Sequence, residues 1–205
     1  MSQIHILDGQ TDLVLDYIQA DDIIDDSHRK SLEDTLETYE FIALGNRTYN
    51  EFLEKRNRII IPDEDGALIE FIIVEAIKYK DTEGHKVQTL AHASYLELSK
   101  AGIIYPDMKG KKRTASQHVG FALNDTGWKV GNIEAVGEKT LSVSEYTSPY
   151  EFLKHVAKEY GVELNFRVEQ DGKQITGRYV DLLERVGEWR GREVEFGRDL
   201  EGIRR

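Results

Sequence analysis

Six histidines, 38 aspartates and glutamates and no cysteine define the chemistry open to this chain. The missing thiol removes cysteine nucleophiles, thiolate zinc sites and disulfides. A zinc peptidase needs histidines at fixed spacing on one face, because the ion draws three or four ligands to a point. The sequence holds no His-Glu-x-x-His and no His-x-His, and its nearest pair, His85 and His92, puts one residue in an expected turn and the other on the strand after it. His5 and His118 read as strand and helix positions. Asp21, Asp22, Asp25 and Asp26 lack the glycine and distal glutamate of a calcium loop and read as a solvated turn. Asp63 and Asp65 before Gly66 read as a hairpin turn. Paired carboxylates for glycoside hydrolysis would show only as a spatial pair with one raised pKa. The basic run Lys109-Gly110-Lys111-Lys112-Arg113 has the charge to meet phosphate, but in so acidic a chain it reads as a solvated loop. Phosphate-loop and dinucleotide glycine motifs are absent. The residues therefore assign no catalytic, cofactor-binding or metal-ligating role, and no cofactor.

Composition narrows the class further. A net charge of -11, from 27 basic and 38 acidic residues, argues against a general binder of nucleic-acid backbone. The opening MSQIHILDGQ lacks the basic start and apolar core of a signal peptide, and no apolar run approaches the roughly 20 residues of a membrane span. The expectation is a soluble protein made in a cytoplasm, without membrane insertion, whose Asn-x-Thr matches at Asn46 and Asn124 arise by chance. At 205 residues it can bury a core without staples.

The elements that would position any site follow from periodicity. IHILDGQTDLVLDYI reads as a hairpin about Asp8-Gly9. Residues 21 to 34 read as a turn or a single helical turn, followed by a strand from about Thr35 to Leu44. Three alternating or apolar runs then follow, with turns at residues 62–66 and 81–84, so that residues 1–97 form an antiparallel β barrel-like unit. After a basic loop comes a short helix capped by Thr114 or Ser116, with Val119, Phe121, Ala122 and Leu123 as its apolar face. A second helix starts at Ser148-Pro149, with Glu151 placed for a capping box, and stops at Gly161. Two strands about Asp171-Gly172 complete a small α+β domain over residues 98–184. The fold class is thus α+β.

The ordered features Thr126-Gly127-Trp128, Val130-Gly131, Glu163-Leu164-Asn165-Phe166, Val180-Asp181-Leu182, Gly187 and Phe196-Gly197-Arg198-Asp199-Leu200 resemble a known family. It is the N-terminal region of phage minor structural proteins, or prophage endopeptidase tail proteins, the tail-associated lysins of phages that infect Gram-positive bacteria. The resemblance covers most of the chain and implies a part like the baseplate hub of contractile-tailed phages. It implies a homotrimer forming a ring around the tail channel at the virion tail tip, in contact with the distal tail protein ring and the tape-measure protein. DNA would pass through the channel without specific binding, past a lumen lined by part of the acidic charge. Apolar residues around Ile59–Ile61 and Ile69–Val74 would supply the subunit contacts.

The resemblance makes residues 185–205 a return segment that starts a further, truncated β domain, with Trp189 and Phe196 as packing anchors. It also places any endopeptidase or lysin activity in a C-terminal module absent from this chain. Two other readings stay open. One is a cell-wall hydrolase using paired carboxylates, and the other is a module for host-surface carbohydrate with Trp128, Trp189 or tyrosines in a shallow groove.

Overall fold

Alternation of apolar and polar residues becomes strand through most of the chain. The computed structural model describes residues 3–31, 36–63 and 66–186; the return segment beyond 186, Leu32 and Asp65 lie outside them. The described strands are β1 (Ile4–Leu7), β2 (Val14–Ile18), β3 (Ile23–Ser31), β4 (Leu36–Leu44), β5 (Arg58–Pro62), β6 (Leu68–Lys80), β7 (His85–Ala93), β8 (Asp107–Thr114), β9 (Lys129–Ile133), β10 (Glu138–Val143), β11 (Glu163–Gln170) and β12 (Ile175–Leu183). Two helices, α1 (Ala115–Ala122) and α2 (Pro149–Tyr160), accompany them.

The long strand β6 is the branch point. One edge pairs with β5, and the other pairs with β7 along most of its length and with β11 at Leu68. Strands β1 to β7 thus form an antiparallel sheet in the order β2-β1-β5-β6-β7-β4-β3. Inward residues from both ends of this order, Ile4 and Ile6 on β1 and Tyr39 and Phe41 on β4, share one core with Ile59, Phe71, Ile73 and Val87. That sharing requires the sheet to curl. Each large apolar side chain removed from water here contributes about 1.5–3 kcal/mol before entropy is counted.

The second half adds the three strands β11-β12-β9, the paired helices and the ribbon β8-β10. Strand β9 lies parallel to β12. A carboxylate fixes that pairing: Asp181 Oδ1 accepts the Asn132 amide at 2.7 Å, and Oδ2 takes the Arg167 Nε–H at 2.9 Å. A Cβ on Gly131 would stand 2.0 Å from Asp181 Oδ1, so the carboxylate occupies the space that only glycine leaves. Gly131 and Asp181 were separate features of the family resemblance, and the structure makes them one contact.

Several local expectations change. Residues 23–31 are a strand rather than a turn, because its outer face is charged and its pattern is set by pairing to β4 instead of by an apolar stripe. The basic run 109–113 is part of β8, paired to β10 and polar on both faces. The first hairpin has a loop from Asp8 to Leu13, closed by Asp8, whose Oδ1 accepts the Thr11 amide at 2.7 Å, so it is longer than an Asp-Gly turn. On α1, Phe121 is exposed beneath the Arg113 guanidinium, and His118 takes the inward place expected of it. Thr114 forms the full capping box with Gln117, whereas Ser148 caps α2 alone and Glu151 pairs with Lys154. Gly161 ends α2 at φ 70°, a left-handed position.

The Gly131 contact gives a direct test. Gly131→Ala should lower stability by about 1–3 kcal/mol, as overpacking against a side chain held by its own hydrogen bonds does. Gly102→Ala, whose Cβ meets nothing nearer than 4.0 Å, should be close to neutral. Urea midpoints of the two variants check both expectations.

Candidate functional site

The chemistry-bearing side chains gather where the two halves meet. Glu70 on β6 points away from the β core and is fully enclosed. Arg58 on β5 reaches it at 2.8 Å, and Arg178 on β12 clasps it through Nε at 2.8 Å and Nη2 at 2.7 Å. Arg178 also holds Asp12 with two bonds of 2.7 and 2.9 Å. Asp12 stands at φ 61° in the first hairpin loop, a backbone state that aspartate tolerates better than most residues. Two carboxylates and two guanidiniums thus neutralise one another, with Arg178 joined to Glu70 and Asp12 across 108 and 166 residues of sequence. Burial pushes the Glu70 carboxyl up, but the Arg178 hydrogen bonds and the charges of Arg58 and Arg178 outweigh it and hold the group below its ordinary range.

An aromatic stack lies beside this network. Tyr95, in the 3-10 segment Ser94–Ser99, stacks on Phe166 of β11 at 4.1 Å between centroids. Tyr150 of α2 continues the stack, and Trp128 meets Phe166 edge-on at 5.7 Å. The Tyr95 hydroxyl donates to Glu37 at 2.7 Å, and His28 lies 2.8 Å from the same carboxylate. Burial raises Glu37, yet the His28 hydrogen bond, the Lys30 charge and the Tyr95 hydroxyl together hold it below its ordinary value. Between the stack and the ion pairs lies a cleft of about 330 Å³ lined by Arg58, Ser94, Glu97, Lys100, Trp128 and Arg178 among others.

The residues weighed for catalysis are scattered or already committed. His85 and His92 both sit on β7, seven residues apart and so on opposite faces. The ring of His5 meets the Gln170 amide, and His118 Nε2 donates to the Lys139 carbonyl at 3.0 Å while burial holds its pKa down. Asp21 and Asp22 lie in a 3-10 turn, whereas Asp25 and Asp26 lie on β3, with Asp26 accepting the Tyr39 hydroxyl at 2.9 Å. No group of three metal-ligating side chains converges among the described residues. The buried carboxylates among the described residues are Glu37, Glu70 and Asp181. Glu37 and Glu70 shift downward, opposite to what a general acid for glycoside hydrolysis needs. Ile59, Ile60, Ile61, Ile69, Phe71, Ile72 and Ile73 are buried within the chain, so most of the apolar run expected to supply subunit contacts is core instead, while Val74 at its end is exposed.

The turn Thr126–Trp128, the Gly131–Asp181 contact and β12 all fall in one stretch that is recognisable by sequence. Residues 101–182 match the prophage endopeptidase tail domain. The resemblance to phage and prophage tail proteins drawn from the sequence is thereby borne out. No curated protein matches the chain. Among solved structures, a tail protein from Neisseria meningitidis MC58 is similar over 88% of this chain and 51% of its own, at 12% identity and a TM-score of 0.52. An Escherichia coli component of the type VI secretion system, described as structurally similar to the T4 tail proteins gp27 and gp5, is similar over 88% of this chain and 48% of its own, at 12% identity and a TM-score of 0.53. The chain spans about half the length of these structures. At such identity the likeness is one of fold, and it bears out the α+β class. The junction itself was not found by sequence reasoning: neither Glu70, Arg58, Arg178 nor Asp12 stood out, though a glutamate among the isoleucines of IEFII was a visible anomaly.

Glu70→Gln would leave two partly buried guanidiniums short of a counter-charge and should cost about 2–4 kcal/mol, below the loss for a fully buried pair. Glu37 and Glu70 both have folded values below their ordinary 4.5. The stability they contribute is therefore in place above that pH and is lost as pH falls through the lowered values. Urea midpoints should drop on acidification below 4.5 in the native chain, and the drop should be shallower in Glu70→Gln.

Proposed function

We propose that this chain is the N-terminal part of a phage or prophage tail-tip hub, a structural component of the virion tail made in the bacterial host cytoplasm. The observation that carries the reading is the prophage tail match over residues 101–182, set in a fold shared with the Neisseria tail protein across 88% of the chain. In this reading three copies form a ring around the tail channel, the curled sheet of residues 1–97 facing its neighbours and the α+β part of residues 98–184 packed against it. The ring sits on the distal tail protein, meets the tape-measure protein and bears whatever modules follow. DNA crosses it without specific contacts, which suits a chain of net charge -11.

The name of the matched family includes an endopeptidase. The reading assigns that activity to a separate C-terminal module, because the buried carboxylates of this chain are committed to ion pairs and its histidines do not converge. Subunit contacts must then use surfaces other than the buried isoleucines of β5 and the first half of β6. Light scattering of the purified chain should give three times the mass of one chain, and the same sample should leave a suspension of Gram-positive cell walls unclarified. A stable monomer would count against ring formation by these residues, and clearing would overturn the structural reading.

A further inference from the structure

We propose that the junction cleft binds an oxyanion, a carboxylate or phosphate group, using Arg58, Ser94 and Lys100 as donors and Trp128 as one wall. This goes beyond the tail reading and does not depend on it.

Charge is the first observation. In a chain of net charge -11, the ten residues lining this cleft include Arg58, Lys100 and Arg178 but only one acid, Glu97, and Glu70 and Asp12, which pair with the two guanidiniums, are not among the lining residues. Arg178 spends its donors on Glu70 and Asp12. Arg58 does not: Nη1 reaches Glu70, while Nε is buried with no partner among the described residues. Lys100 is exposed and forms no ion pair among them.

Orphaned donors are the second, independent observation. Ser94 is 5% exposed, and its hydroxyl is buried without a partner. A buried hydroxyl or guanidinium N–H left unmatched costs more than a hydrogen bond normally contributes, so such groups mark places where an acceptor belongs. Two of the four buried side-chain polar atoms without partners among the described residues, Arg58 Nε and Ser94 Oγ, belong to residues of this one cleft. An oxyanion offers several lone pairs to such donors once a side chain turns toward it, and charge-assisted bonds to it are the strong kind. The volume of about 330 Å³ is at the small end of ligand sites. The half-buried Trp128 gives the group bearing the anion a flat apolar surface, with an indole N–H at its edge.

Inorganic phosphate and acetate, titrated at fixed ionic strength into the isotope-labelled chain, test the proposal, with the two indole N–H resonances told apart by Trp189→Phe. The Trp128 resonance should shift saturably with at least one anion. Saturation by phosphate alone identifies a phosphoryl ligand, and saturation by acetate alone a carboxylate. Ser94→Ala and Lys100→Ala should each weaken binding about tenfold, the effect of removing one hydrogen bond to a charged group. Because Lys100 is exposed, its variant keeps the native fold and melting temperature. The proposal is overturned if neither anion saturates, or if both variants bind as tightly as the native chain.

Discussion

A carboxylate sealed between two guanidiniums holds this structure in one piece. Burying Glu70 alone would be prohibitive, and Arg58 and Arg178, which are partly buried, would also lose by facing it without a carboxylate. Together with Asp12 they form a neutral set whose members come from β5, β6, β12 and the first hairpin loop. Such a set adds little net stability over well-packed apolar residues, but it fixes which strands must meet. Satisfying Arg178 requires the β11–β12 hairpin to lie across the outside of β1 and β5, where Val168 and Ile175 cover Leu7 and Ile60.

The remaining contacts between the halves follow from that placement. With β11 anchored at Leu68, Phe166 comes under Tyr95, and the aromatic stack ties α2 and the Trp128 turn to the edge of the curled sheet. Tyr95 then reaches Glu37, the second buried carboxylate, and links the stack to β4. The Gly131–Asp181 contact plays the corresponding part on the far side of β12, admitting a parallel strand where a side chain would block it. Polar ties of this kind resist sliding between the two halves more specifically than an apolar interface does.

The legible parts of the fold were those in which one face is apolar. The meander from Arg58 to Ala93, the capped helix at Ser148-Pro149 and the hairpin about Asp171-Gly172 stand where alternation and turn residues put them. Strands β3 and β8 escaped because both carry charge on exposed faces, so backbone pairing rather than burial makes them strands. The parallel pairing of β9 leaves no local trace, since it depends on a carboxylate 50 residues away. The motif Val130-Gly131 was noticed only through family resemblance, and its physical reason lies in Asp181. The junction was the least legible, because a buried ion pair between distant strands has no period. The isoleucines of β5 and β6 were misread as interface for a related reason: sequence shows that a residue is apolar, not which surface covers it.

Hydrogen exchange compared at the Phe71 and Val180 amides would test the idea that the Glu70 network makes the two halves one cooperative body. A single opening free energy for both amides is expected in the native chain, and in Glu70→Gln a Val180 amide that opens at lower free energy than Phe71. Independent exchange of the two amides in the native chain would contradict it.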